Sequence, residues 1–157
     1  MVEIMKIAIA QLNPIVGDAY GNIAKATQTL KKFGNEADLI VFPELLTVGY
    51  PPRDLLYRKD LIDKNLAARD MLIKATEAMP AAVVFGYVAP NPADGGKPLF
   101  NAACVASGGK QINERHKTLL PTYDVFEEDI YFEPGSQQDF KVFDIKGVPT
   151  GVIICEE

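Results

Sequence analysis

The hydrophobic positions of this chain fall into short runs and into stripes with helical spacing. Segment 6–12 has an alternating pattern, and segments 38–42 and 82–88 are continuous apolar runs. Alternation is typical of a strand with one buried face, whereas a continuous run of this length is typical of a strand buried on both faces. The three segments therefore predict three strands of one sheet.

Two segments between these strands have the pattern of amphipathic helices. The first has apolar residues three to four positions apart, at Ile23, Ala26, Leu30 and Phe33. Either Asp18 or Asn22 could cap it, since both side chains accept backbone hydrogen bonds. The second helix is expected over about 59–79 and ends before Pro80. One side of it is expected to carry Ile62, Leu66, Arg69, Ile73 and Thr76, with Leu72 and Met79 nearby.

The second half of the chain contains the signals of two hairpins. Segments 101–107 and 111–115 flank Gly108-Gly109, and segments 140–145 and 150–155 flank 146–149. Strand–helix–strand–helix–strand followed by hairpins predicts a layered α/β fold with a mixed sheet. Pro51-Pro52 predicts an extended stretch between the second strand and the second helix. Half of such a sheet would expose a wide apolar face, so we expect further chain or a second copy to cover it.

Composition narrows the class of protein. The 157 residues suffice for one domain, and 48% hydrophobic content is typical of a globular protein. The formal net charge of −5 argues against nucleic acid or an anionic membrane as partner. No apolar run reaches the ~18 residues of a membrane span, and the N-terminus has no pattern of a signal peptide. Two cysteines do not make a disulfide framework, so we expect a cytoplasmic protein.

Cys155 is the first candidate for chemistry. It closes the apolar run 150–155, and Glu156 and Glu157 follow directly. Because two carboxylates are not expected in a dry core, the thiol is expected where a strand meets solvent. The alternative is a small buried hydrophobic residue, which is the role expected for Cys104.

Two further residues could act with this thiol. Glu44 ends the second predicted strand, where it is either a general base or a solvated loop carboxylate. Lys117 lies among apolar and turn residues, which favours a lysine held near the interior over a solvated one. His116 would point to the opposite face of its strand and is not assigned to the site. Thiol, carboxylate and amine can cleave a carbon–nitrogen bond without a metal, and the sequence contains no pattern of metal ligands.

Three ordered motifs are similar to those of a known superfamily. Phe42-Pro43-Glu44, Lys117 with Leu120-Pro121, and Cys155-Glu156 resemble the nitrilase superfamily, in which a Glu-Lys-Cys triad hydrolyses amides and nitriles. Segments 49–56, 117–128 and 131–135 resemble one branch of it, the glutaminase domains of glutamine-dependent NAD+ synthetases. The resemblance runs from about residue 5 to residue 157.

The resemblance implies the fold and the role of each site residue. The fold would be the N-terminal portion of an αββα sandwich, with residues 1–157 forming part of one nitrilase-type domain. Glu44 would be the general base, Lys117 the electrostatic stabiliser, Cys155 the nucleophile and Glu128 a second carboxylate beside the lysine. Further residues would surround a glutamine-binding pocket, namely Tyr50, Tyr123, Phe126 and Glu156.

The resemblance also implies partners and leaves alternatives. Glutamine would be the substrate without any cofactor, whereas ATP and Mg²⁺ would serve a synthetase domain outside this chain, and the complete protein would form homo-oligomers. Ser107-Gly-Gly-Lys110 lacks the Asp-Ser of a pyrophosphate loop and is interpreted as a turn. Ile130 and Glu157 stand where the family usually has arginine and aspartate. Another small amide as substrate, or an inert domain with the same fold, remains an alternative, and the chain by itself is expected to have little activity.

Overall fold

The computed structural model describes residues 4–157 and has a mixed α/β fold, as the sequence predicts. Its strands and helices are β1 (Ile7–Ile9), α1 (Ala19–Phe33), β2 (Leu39–Val41), α2 (Lys59–Ala75), β3 (Ala82–Pro90), β4 (Leu99–Ser107), β5 (Lys110–His116), α3 (Glu128–Tyr131), β6 (Phe143–Ile145) and β7 (Val148–Thr150). Short 3₁₀ turns span Arg53–Tyr57, Thr76–Ala78 and Gln137–Asp139. No helix in this part of the chain is both long enough and apolar enough to cross a bilayer.

Strands β1 to β5 form one sheet in the order of the sequence. β1, β2 and β3 are parallel, and β3, β4 and β5 are antiparallel. The parallel pairs are joined through α1 and α2, because a parallel connection must return across the sheet. The antiparallel strands follow each other through short loops. The carboxyl ends of β1 and β2 therefore lie at one edge of the sheet, where the loop that carries Glu44 begins.

Helix α1 buries Ile23, Ala26 and Leu30 of the predicted stripe, leaves Phe33 partly buried, and begins directly after Asp18. The carboxylate of Asp18 accepts the backbone N–H of Gly21 at 2.9 Å, which makes Asp18 the N-cap. Asn22 is instead buried, where its side chain bonds both the N–H and the carbonyl of Ile15. A capping motif alone could not separate these two residues, because both side chains accept backbone hydrogen bonds.

Helix α2 ends earlier than predicted and turns a different stripe inward. Its fully buried positions are Leu61, Asn65, Ala68 and Leu72, whereas most of the stripe expected from the sequence is only partly buried. Asn65 explains the difference, since its amide donates to the carbonyl of Val88 at 2.7 Å and accepts the N–H of Val88 at 3.0 Å. The helix therefore buries the face that carries Asn65, which the pattern of hydrophobic residues alone did not predict.

The two predicted hairpins have different outcomes. Gly108 and Gly109 both have positive φ and join β4 to β5, as the sequence predicts and as a two-residue hairpin loop requires. The second hairpin is shorter than expected, because β7 covers only Val148–Thr150 and residues 151–155 are not a strand. The prediction of an extended stretch at Pro51-Pro52 is also wrong. Pro52 has helical angles and starts the 3₁₀ turn, a position that suits its fixed φ.

Apolar side chains cover both faces of the sheet to different extents. Helices α1 and α2 cover one face, around Ile23, Leu72 and Phe85. The other face packs Val84 and Val105 against β6 and the segment before Cys155. At the β1 edge of that face, Ile7 and Ile9 remain 50% and 75% exposed. The expectation that further chain or a second copy covers this face stays a prediction.

Candidate active site

Glu44 lies in a tight loop directly after β2. The next residue, Leu45, has a φ of +46°, which turns the chain sharply at the end of the strand. Gly86 of β3 lies beneath this loop, and a Cβ atom there would be 2.1 Å from the Leu45 nitrogen. Glycine at position 86 therefore allows the loop to come close enough to the sheet for Glu44 to face the site.

Lys117 follows β5 and is completely buried. Its backbone N–H donates to the carbonyl of Asn101 at 2.9 Å, so the residue is fixed to β4. Its Nζ donates to Oε1 of Glu44 at 2.8 Å and to Oε1 of Glu128 at 2.9 Å. Burial alone would lower the pKa of Lys117, but the hydrogen bonds that Lys117 donates to Glu44 and Glu128 outweigh it and raise the pKa above its ordinary value. The ammonium group therefore stays charged inside the protein.

Glu128 is the first residue of α3 and is the most connected carboxylate of the site. Besides Lys117, it accepts the hydroxyl of Tyr50 at 2.9 Å and the amide of Asn101 at 3.1 Å. Burial first, and the hydrogen bond to Glu128 second, raise the pKa of Tyr50 well above its ordinary value, so Tyr50 remains a donor. The contacts agree with the expectation of a second carboxylate beside the lysine.

Asn101 is a site residue that sequence reasoning assigned only to a strand. It is completely buried in β4, and its Nδ2 donates to Oε1 of Glu44 at 2.7 Å and to Oε2 of Glu128 at 3.1 Å. Asn101 and Lys117 thus join the same two carboxylates and hold them side by side. The only signal in the sequence was a polar residue inside an otherwise apolar strand.

Cys155 lies on a turn rather than at the end of a strand. Its φ is +50°, and the N–H of Glu157 donates to the carbonyl of Ile154 at 3.3 Å, which closes the turn around it. The expected position at a strand end is therefore wrong, but the expected exposure of the residue is confirmed. Cys104, in contrast, is completely buried, as predicted.

Cys155 and Glu44 line the same cavity, whose volume is about 280 Å³. This volume is close to the lower end of the ~300–1,000 Å³ that is typical of small-molecule sites. Burial, followed by the charge of Glu44, raises the pKa of the Cys155 thiol, while Lys117 opposes this effect. The thiol is therefore mostly protonated at neutral pH, so the site needs a base to generate the thiolate.

The four residues expected around a substrate form a connected group, but none of them lines the cavity of Cys155 and Glu44. The rings of Tyr50 and Phe126 lie 6.2 Å apart, and those of Phe126 and Tyr123 lie 5.4 Å apart. The hydroxyl of Tyr123 donates to the carboxylate of Glu156. Tyr123 and Glu156 are both exposed, so they form an outer rim rather than an enclosed pocket.

The two positions that differ from the family pattern have different surroundings. Ile130 is 58% exposed on α3 and does not enter the cavity lined by Cys155. Glu157 was expected outside the core, and this expectation is wrong, since only 4% of its side chain is exposed. Its carboxylate is compensated by the guanidinium of Arg115 and by the backbone N–H groups of Thr118 and Ile154.

Other polar groups of the sequence do not extend the site. His116 stacks on Phe100, with ring centroids 4.1 Å apart, and hydrogen-bonds Glu114 at 2.8 Å. It therefore contacts neither of the carboxylates that Lys117 contacts. Ser107–Lys110 is a hairpin turn and not a phosphate loop, so this segment does not fit ATP. Among the side chains that the structure describes, no three of His, Cys, Asp or Glu are grouped in a way that could hold a metal ion.

Solved structures share this arrangement of strands and helices. A glutamine-dependent NAD+ synthetase from Acinetobacter baumannii superimposes with a TM-score of 0.79 at 35% identity, over 97% of this chain and 28% of that one. An amidase from Nesterenkonia sp. superimposes with a TM-score of 0.78 at 25% identity, over 96% of this chain and 55% of that one. The second likeness supports the fold of the sheet and helices.

Curated relatives and a family model agree with these structures. The glutamine-dependent NAD(+) synthetase of Thermotoga maritima is 35% identical over 98% of this chain and 26% of its own length. That of a Synechocystis strain is 38% identical over 96% of this chain and 27% of its own length. The chain thus spans about a quarter of the length of the curated relatives it matches. The family model described as carbon-nitrogen hydrolase matches residues 6–157, and the chain therefore belongs to the carbon-nitrogen hydrolase family.

Proposed function

We propose that this chain, as part of a longer protein, hydrolyses the side-chain amide of glutamine through Cys155, Glu44 and Lys117, whereas the 157 residues alone have little activity. The observation that carries the proposal is the buried ammonium of Lys117, which contacts Glu44 and Glu128 at 2.8 and 2.9 Å. Glu44 also lines one cavity with the exposed Cys155. A fixed positive charge, a carboxylate and a thiol together supply what amide cleavage through a covalent intermediate requires.

Glu44 starts the reaction by accepting the proton of the Cys155 thiol. Lys117 and Asn101 both donate to Oε1 of Glu44, so Oε2 is the oxygen that can take this proton. The thiolate attacks the amide carbon, a carbon–sulfur bond forms, and the carbonyl electron pair moves onto oxygen. Lys117 stabilises the resulting negative charge. The loss of one such stabilising group commonly costs about 2.7–4 kcal/mol of barrier.

The protonated Glu44 then completes both halves of the cycle. It gives its proton to the amide nitrogen, the carbon–nitrogen bond breaks, and ammonia leaves while the acyl group remains on Cys155 as a thioester. A water molecule next gives a proton to Glu44 and attacks the thioester carbon. Glutamate leaves, and the proton passes from Glu44 back to the sulfur. The same carboxylate therefore acts as base, acid, base and finally acid again.

The relatives support the proposed substrate and the proposed use of the ammonia. Curated proteins named glutamine-dependent NAD(+) synthetase match nearly the whole chain. In a longer protein, the ammonia would serve the ATP-dependent amidation of deamido-NAD+ to NAD+, with ATP and Mg²⁺ bound outside the described residues. Tyr50, Phe126, Tyr123 and Glu156 would contact the amino-acid part of glutamine, and the complete protein would form homo-oligomers through domains of this type.

Replacement of Cys155 tests the proposal in the full-length protein. Cys155→Ala should abolish ammonia release from glutamine, whereas Cys104→Ala, a change of the other cysteine in the core, should keep it. Retained turnover in Cys155→Ala would refute the nucleophile. A panel of small amides tests the substrate, since faster hydrolysis of another amide would replace glutamine in the scheme. If an electrophilic glutamine analogue leaves Cys155 unlabelled, the domain is inert.

A further inference from the structure

The turn at Cys155 needs a holding contact, because its backbone is strained. A residue other than glycine at a positive φ costs about 1–3 kcal/mol unless the surroundings hold it. At Cys155 φ is +50°, and only one backbone hydrogen bond, between Glu157 and Ile154, closes the turn. A catalytic thiol in such a turn would lose its position if nothing else fixed it.

The carboxylate of Glu157 supplies that contact from inside the protein. Its Oε2 accepts the N–H of Ile154, the residue before the thiol, at 2.8 Å. Its Oε1 accepts the N–H of Thr118 at 2.8 Å and the hydroxyl of Thr118 at 2.5 Å. Thr118 is the residue after Lys117. One carboxylate therefore joins the neighbour of the nucleophile to the neighbour of the catalytic lysine.

Arg115 anchors this carboxylate to the sheet. It belongs to β5, where it pairs with Ala103, and its side chain is 8% exposed. Its guanidinium forms an ion pair with Glu157 and donates to the hydroxyl of Thr118 at 3.3 Å and to the carbonyl of Ser136 at 3.2 Å. Removal of either partner of a buried ion pair strongly destabilises the folded protein, because the other charge is left uncompensated.

We propose that Glu157 is a positioning residue, which through Arg115 and Thr118 holds the thiol of Cys155 at a fixed place relative to Lys117. The inference rests on the proposed amide hydrolysis for its consequence in turnover, but the contact itself does not depend on the substrate. Glu157 does not face the reacting atoms. It acts through the backbone of Ile154 and Thr118, which distinguishes it from Glu156 on the outer rim.

The charge of Glu157 matters more than its length in this arrangement. Burial opposes the ionised form, but the hydrogen bonds from Thr118, Ile154 and Arg115 together lower the pKa of Glu157 below its ordinary value. All of its contacts are donors that point at a carboxylate. A neutral amide of the same size would place its NH₂ group against one of these donors, whereas a shorter carboxylate would still accept from several of them.

Two variants in the full-length protein test this reasoning. Glu157→Gln should lower kcat for glutamine about a hundredfold, since a displacement of about 1 Å can cost that much, and should leave KM within a few-fold. Glu157→Asp should retain more activity than Glu157→Gln. The control is Glu77→Gln, which makes the same chemical change in an exposed ion pair with Lys74 and should not alter kcat.

Alkylation by iodoacetamide separates position from reactivity. In Glu157→Gln, Cys155 should react at least as fast as in the wild type, because a released thiol loses the surroundings that raise its pKa. Cys104 should stay unmodified as long as the protein is folded, since it is completely buried. A fall in kcat without a fall in alkylation is the signature of a displaced but intact nucleophile.

Several results would overturn the proposal. A kcat of Glu157→Gln within threefold of the wild type would do so, as would equal activity of the Asp and Gln variants. If Glu157→Gln exposes Cys104 and is therefore unfolded, Thr118→Val decides, because it removes the hydroxyl that donates to Glu157 and accepts from Arg115 and should lower kcat about tenfold. An unchanged kcat there would also refute the role. A wild type that alkylates normally but does not hydrolyse glutamine would refute the proposed function instead.

Discussion

The carboxylates on the two sides of Lys117 should respond differently to the same substitution. Glu128 is 4% exposed and accepts hydrogen bonds from Lys117, Tyr50 and Asn101. Glu44 is more exposed, and both of its hydrogen bonds use Oε1. A glutamine side chain has one acceptor oxygen and one NH₂ donor, so the stability lost in a Glu→Gln substitution depends on how many carboxylate oxygens accept hydrogen bonds at that position.

The contacts of Glu128 indicate how much stability Glu128→Gln should lose. The amide oxygen can serve Lys117 and Tyr50, but the NH₂ group then meets the Nδ2 donor of Asn101. Rotation of Asn101 would remove this conflict but would take its donor away from Glu44. A weakened charged hydrogen bond and an unsatisfied buried donor cost ~1.5–3 and ~1–3 kcal/mol, so we expect a loss of about 3–5 kcal/mol in the free energy of unfolding.

Glu44→Gln should cost less, about 1–2 kcal/mol. Its amide oxygen can replace Oε1 for both Lys117 and Asn101, while the NH₂ group faces the cavity. Urea unfolding followed by circular dichroism measures both values, with the exposed Glu77→Gln expected within about 1 kcal/mol of the wild type. If Glu128→Gln is no less stable than Glu44→Gln, the buried network around Lys117 is not as described.

Three further predictions concern the thiol and the loop of Glu44. The rate of Cys155 alkylation by iodoacetamide should rise with pH around a midpoint above the ordinary thiol pKa of ~8.5, because burial and Glu44 both favour the protonated thiol. Buried Cys104 should not react. A midpoint at or below the ordinary value would contradict this prediction. Glu44→Gln should lower this midpoint, because it removes the negative charge beside the thiol, and should lower glutamine turnover about 10²–10⁴-fold. A parallel loss in the alkylation rate and in turnover would count against Glu44 as the base. Gly86→Ala should cost about 1–3 kcal/mol and most of the turnover, since its Cβ would collide with the Leu45 backbone; unchanged kinetics would show that the loop tolerates displacement.

The local features of this site could be predicted from the sequence, whereas the contacts between distant segments could not. The end of a buried run placed Glu44, and the Gly108-Gly109 loop fixed the hairpin that leads to Lys117. Asn101 lies 57 positions from Glu44, and no local pattern indicates that it bonds this carboxylate. Such a contact depends on which strands are neighbours and on their register, and a shift by one residue would turn Asn101 to the other face.

The sequence by itself determined the alternation of strands and helices, the buried Cys104 and the order of the motifs that hold Glu44, Lys117 and Cys155. These features depend on periodicity and residue type, which are local properties of the chain. Only the tertiary structure decided that Cys155 lies on a turn and that the side chain of Glu157 is buried. A carboxylate is expected at the surface until a guanidinium and backbone donors from distant segments surround it, because their hydrogen bonds then replace those of water.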